Sequence, residues 1–143
     1  MIEQEFERDL SSLTNVLEFV TLFLSGHRAG SEATYALTLA VEELFTNAVK
    51  YVPSSRSPIR IALEAGNGKI TVSFRDPSGI PFDVVREMNR SRARSADDIR
   101  PGGLGLLLIK SLMDEVRHEY RDNTNITTMV KYLEPQDVGN QME

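Results

Sequence analysis

The chain has 143 residues, 41% of them hydrophobic and 26% charged, a composition and length that fit one ordinary globular domain. Its net charge of −5 weighs against general affinity for nucleic acid or anionic membrane and points to a protein or small-molecule partner. With no cysteine there are neither disulfides nor thiolate zinc sites, and the longest apolar stretch falls far short of the ~20 residues that span a bilayer.

The N-terminus, "MIEQEFERDL", lacks the basic start and apolar stretch of a secretory signal, so a soluble cytoplasmic protein is expected. Residues 11–25 place Leu13, Val16, Leu17, Val20, Phe23 and Leu24 at helical spacing, with Ser11 or Ser12 able to cap the first turn. A second helix opens at Ser31. Its broad stripe of Ala36, Leu37, Ala40, Val41, Leu44, Phe45, Ala48 and Val52 stops at Pro53.

The period then changes from about 3.6 to 2. Ile59, Ile61 and Leu63 alternate with Arg60, Ala62 and Glu64, and Ile70, Val72 and Phe74 alternate with Thr71, Ser73 and Arg75. "AGNG" between the two runs reads as a hairpin turn. Residues 83–102 are polar and arginine-rich with no sustained apolar period, which predicts a lid or linker. A helix is predicted from Leu104 to about Glu115. A second hairpin follows, built from Val116, His118 and Tyr120, the turn "DNTN" and the strand "ITTMVKYL", and a polar tail runs over about 134–143.

Two hairpins, with no helix between the strands of residues 59–75, predict an α+β two-layer sandwich: a mostly antiparallel sheet covered on one face by helices, in a single domain over 1–143.

Three groups of residues could carry chemistry. Glu43 and Asn47 stand four apart on the second helix and project from the same face. A carboxylate there can act as a base or orient a hydroxyl, and an amide oxygen is a hard ligand suited to Mg²⁺; the bland alternative is a solvated helix face. In "RDPSGIPFD", a strand ending at Phe74 or Arg75 runs into Asp76, which could accept the exocyclic amine of a nucleobase, with Gly79 letting a ring approach the backbone; an ordinary surface turn uses the same residues. Finally Gly102, Gly103, Leu104, Gly105 and Leu106 open the third helix, where backbone N–H groups and the positive helix end can meet a phosphate, or where a tight connection is all that is needed. The phosphate loop GxxxxGK[ST], the GxSxG elbow and the protein-kinase HRD and DFG sets are absent, and His27 and His118 read as surface residues without metal-ligand spacing.

In this order, "LAVEELFTNAVKY", "SGIPFD", "GGLGLLLIKSLMDEV" and "NITTMVKYL" resemble the GHKL superfamily of ATPases with its Bergerat nucleotide fold, and within it the compact anti-sigma-factor serine/threonine kinases of bacterial partner switching. The likeness runs from an N-terminal strand to about Leu133, without the phosphoacceptor-histidine hairpin of sensor kinases, so a stand-alone regulator is expected.

The resemblance implies ATP and Mg²⁺ as cofactors. It makes Glu43 similar to the base or hydroxyl-orienting carboxylate, Asn47 to the Mg²⁺ ligand and Asp76 to the adenine-recognising aspartate. Gly79 is similar to the glycine of that aspartate's motif, and Gly103 and Gly105, with Leu104 and Leu106 around them, to the segment that closes on the phosphates. Asp76 and Gly79 are separated by two residues where the family pattern has one. The implied partners are an antagonist (anti-anti-sigma) protein as substrate and a sigma factor, with a homodimer as the assembly. A non-catalytic, partner-sequestering module of the same fold and a two-component histidine kinase catalytic domain are the alternatives.

Overall fold

The computed structural model describes residues 1–51, 56–77, 81–92 and 103–134. β1 (Ile2–Phe6) leads through one 3-10 turn (Leu10–Ser12) into α1 (Leu13–Gly26) and α2 (Ser31–Tyr51). β2 (Ile59–Gly66) and β3 (Lys69–Asp76) follow, then α3 (Val84–Arg92), α4 (Gly103–Leu112), β4 (Glu115–Arg121) and β5 (Thr124–Tyr132).

The five strands form one sheet in the order β1-β2-β3-β5-β4, and every neighbouring pair is antiparallel. Both expected hairpins are present with two-residue turns. Asn67 and Gly68 take positive φ (56° and 73°), as do Asp122 and Asn123 (53° and 60°), the conformation that matches the right-handed twist of flanking strands. Asn, Asp and Gly tolerate it, which explains why these residues stand there.

Register sorts the two faces. Ile61 opposes Phe74, Leu63 opposes Val72 and Val72 opposes Met129, so these side chains share a face and are buried under the helices. The opposite face carries Glu5, Arg60, Ser73 and Thr128. From above, α1 contributes Val16, Val20 and Leu24, α2 its full stripe from Ala36 to Ala48, and α4 Leu106 and Ile109. The predicted two-layer α+β architecture is therefore the observed one. Val52, Pro53 and nearly all of the polar tail lie outside the described residues.

Four local readings need correction. Ser12 holds the N-cap position of α1 without a side-chain cap bond; the side-chain cap lies one turn earlier, where Asp9 closes the 3-10 turn by accepting the Ser11 N–H at 2.8 Å. The stretch read as a lid or linker begins with a helix: Asp83 caps α3 by accepting the Arg86 N–H at 3.0 Å, and Val84 is buried, while residues 93–102 lie outside the described residues. One apolar anchor and a capping carboxylate suffice for a short polar helix, and a search for apolar period passes over it. α4 ends at Leu112 rather than near Glu115, because Asp114 donates its N–H to Val130 O at 2.9 Å and the chain is already entering β4. His118 is not a surface residue: its side chain is 8% exposed, and Nε2 lies 3.0 Å from Asn125 Oδ1.

Candidate functional site

The site begins on α2. Glu43 and Asn47, one turn apart, are both half-buried in the second half of a helix whose neighbouring positions Leu44, Phe45 and Ala48 are locked into the core. Packing on one side of the helix thus fixes where the two polar groups point.

Across from them runs the start of α4. A Cβ built on Gly105 would sit 2.2 Å from Glu43 Oε2 and 3.0 Å from Glu43 Cδ, a clash no alanine could tolerate without displacing the carboxylate. Gly105 is therefore the residue that lets the first turn of α4 approach Glu43. Leu106 turns its side chain into the core, as do Ile109 and Met113, which anchors that turn. The greasy run after the glycines is what holds the helix end in place. Gly103 is the first residue of α4. The Leu104 side chain and Gly79 lie outside the described parts of the structure.

Asp76 enters by a different route. β3 extends one residue beyond the expected end, so that Asp76 opposes Asn125 and, being in phase with Ile70, Val72 and Phe74, lies on the helix-covered face. A carboxylate placed there needs a partner, because burying a charge uncompensated costs several kcal/mol. Arg8 supplies it: its Nη2 donates to Asp76 Oδ1, its Nε to Ser57 O at 3.2 Å and its Nη1 to Ala48 O at 3.3 Å. Ala48 follows Asn47 on α2. One guanidinium thus ties Asp76 to the helix turn that carries Asn47. Arg8 was missed in the sequence, where a single arginine after a short strand carries no pattern.

Beside Asp76, the Asn125 side chain accepts the Phe82 N–H at 2.8 Å and meets His118, and His118 Nδ1 is 3.8 Å from Asp83. These contacts fasten the entry of α3 to β4 and β5 at the end of the sheet where Asp76 sits.

Chemically, the cluster offers two hard oxygen donors of the kind Mg²⁺ prefers, the Glu43 carboxylate and the Asn47 amide, beside a glycine-lined helix start. Among the described residues no three His, Cys, Asp or Glu side chains gather into a metal cage. Mg²⁺ does not require one, since it is characteristically held by one or two side-chain oxygens together with substrate phosphates and water. The residues present fit that ion and a phosphate-bearing ligand.

Comparison with known proteins identifies the family. The histidine kinase-like ATPase domain matches residues 6–131. Serine-protein kinase RsbW of Staphylococcus aureus strain MRSA252 is 32% identical across 99% of this chain and 94% of its own length, and so is RsbW of strain bovine RF122 / ET3-1. Among solved structures, the RsbU and RsbW domains of Rv1364c from Mycobacterium tuberculosis superpose with a TM-score of 0.66 at 17% identity, over 92% of this chain and 32% of that one. The SiaB–SiaC complex from Pseudomonas aeruginosa gives 0.67 at 14%, over 93% and 89%. At these identities the two structures speak for the fold; the staphylococcal kinases speak for more. The chain belongs to the histidine kinase-like ATPase family, in the group of its serine-protein kinases.

Proposed function

We propose that this protein uses ATP and Mg²⁺ to phosphorylate a serine or threonine of a small antagonist protein, and that this transfer decides whether it holds or releases a sigma factor. The observation that carries the reading is the contact of Glu43 with the glycine start of α4, with Asn47 one turn away. A carboxylate able to act as a base, an amide able to ligate a metal and a helix N-terminus are the groups that transfer of one phosphoryl group would use, which is what supports the reading.

In this reading Asn47 would hold Mg²⁺, which supplies charge neutralisation on the phosphates when bound. Glu43 takes the proton of the acceptor hydroxyl. The N–H groups of Gly103, Leu104, Gly105 and Leu106 receive phosphate oxygens, and Asp76 with Gly79 receives the adenine. Residues 83–102 act as the lid, and the protein works as a homodimer in the cytoplasm, as one nucleotide-binding unit. A protein acceptor is supported by the serine-protein kinase relatives, and among the described residues no helix is long and apolar enough to cross a membrane.

A second reading, a partner-sequestering module without turnover, draws on the extra residue between Asp76 and Gly79. One experiment separates the two. Mg-ATP at 100 times its dissociation constant adds about 2.7 kcal/mol to stability, so the wild type melts higher with nucleotide and Asn47→Ala gains much less. Acid-stable phosphate on a candidate antagonist then marks the kinase; a thermal shift without any transfer marks the sequestering module.

A further inference from the structure

We propose that Arg8 is a positioning residue for the base end of the nucleotide site, and that base selectivity depends on it. The inference rests on the nucleotide reading above and adds a residue that reading does not contain. The Arg8 side chain is 2% exposed and makes three hydrogen bonds, to Ser57 O, Ala48 O and Asp76 Oδ1, each on a different segment of the chain. A planar guanidinium with its donors in a rigid fork fixes the plane of the carboxylate it grips, which a flexible ammonium does not.

Asp76 is 13% exposed, and among the described residues its Oδ2 takes no hydrogen bond. Arg8 grips one oxygen and so aims the other. A carboxylate accepts only, so the second oxygen suits the exocyclic amine of adenine and opposes the carbonyl that guanine presents at the equivalent position. Because Arg8 also grips the carbonyl of Ala48, it fixes the distance between this acceptor and Asn47, the residue assigned to the phosphate end. The base end and the metal end of the site are thus held in register by a side chain on neither of them.

The test is the affinity of Mg-ADP and Mg-GDP for the wild type and for Arg8→Lys, which keeps the positive charge and loses the fork. ADP binding should weaken about tenfold in the variant while GDP binding stays where it was, so that selectivity collapses. Equal losses for both nucleotides, or no loss in a variant with native melting, would overturn the proposal and leave the nucleotide site standing. A wild type that binds neither nucleotide would overturn the underlying reading as well. In the wild type, the Arg8 Nε–H resonance should shift on adding ADP and not GDP; an unmoved resonance counts against Arg8 even if the lysine variant fails to fold.

Discussion

The Glu43 carboxylate occupies the space that any side chain on Gly105 would need, with Oε2 2.2 Å from where a Cβ would lie. A helix on one side of the site thus has its composition set by a catalytic candidate on the other. The clashing atom is the far end of a flexible side chain, so the outcome of a substitution is displacement of the carboxylate and not collapse of the fold.

Gly105→Ala is therefore expected to fold as well as the wild type or better, since alanine is favoured over glycine inside a helix by about 1 kcal/mol. Phosphoryl transfer should fall about a hundredfold, the scale of a mispositioned general base. Melting temperature and transfer rate measured on the same preparation check it; activity retained at wild-type level would remove Glu43 from the chemistry.

Glu43→Gln keeps the shape and removes the base. Nucleotide affinity should change little, while the transfer rate drops on the order of 10²–10⁴-fold. Titration with Mg-ATP followed by single-turnover transfer separates the two quantities.

Removing Arg8 outright differs from replacing it by lysine. Arg8→Ala leaves Asp76 on the covered face without its counter-charge and removes a hydrogen bond to Ala48 O, and the protein should lose about 3–5 kcal/mol, lowering its melting point by roughly 10 °C or more. Arg8→Ala/Asp76→Ala should recover part of that loss, because the charge left unpaired is then gone. Thermal melts of the two variants without nucleotide measure it.

Asp9 makes a pH prediction. The Ser11 N–H, and then the Ser11 hydroxyl, hold its carboxyl below the usual carboxylate range. A group whose folded value is depressed stabilises the fold above its unfolded value, and that contribution is lost as pH falls through the folded one. The stability difference between wild type and Asp9→Ala should be present at neutral pH and disappear in strong acid. A difference independent of pH would show that Asp9 acts through packing alone.

Legibility in the sequence followed periodicity. The stripe from Ala36 to Ala48 and the alternation of Ile59, Ile61 and Leu63 were readable because each repeat marks a buried face, and in these segments every marked position is buried. The two-residue turns were readable because only a few residues accept positive φ. Asp76 on the covered face was half-legible: it continues the phase of Ile70, Val72 and Phe74, yet the turn chemistry of Pro77 suggested that the strand had already ended. The Arg8 clamp and the Asn125 anchor were not legible at all. They are single polar side chains whose partners lie far along the chain, up to 68 residues for Arg8 and 43 for Asn125, and no local pattern encodes such a pairing.

The same long reach has a kinetic meaning. β1 pairs with β2 across more than fifty residues, Glu5 with Arg60 for one, and Arg8 meets Asp76 only once β3 is in place. Contacts so distant in sequence close late, after the entropy of the intervening loops has been overcome. A chain still emerging from the ribosome can form α1 and α2 early, with Glu43 and Asn47 already on their helix, and still lack a site. Competence to bind nucleotide should therefore arrive together with the last step of folding, when the first strand docks.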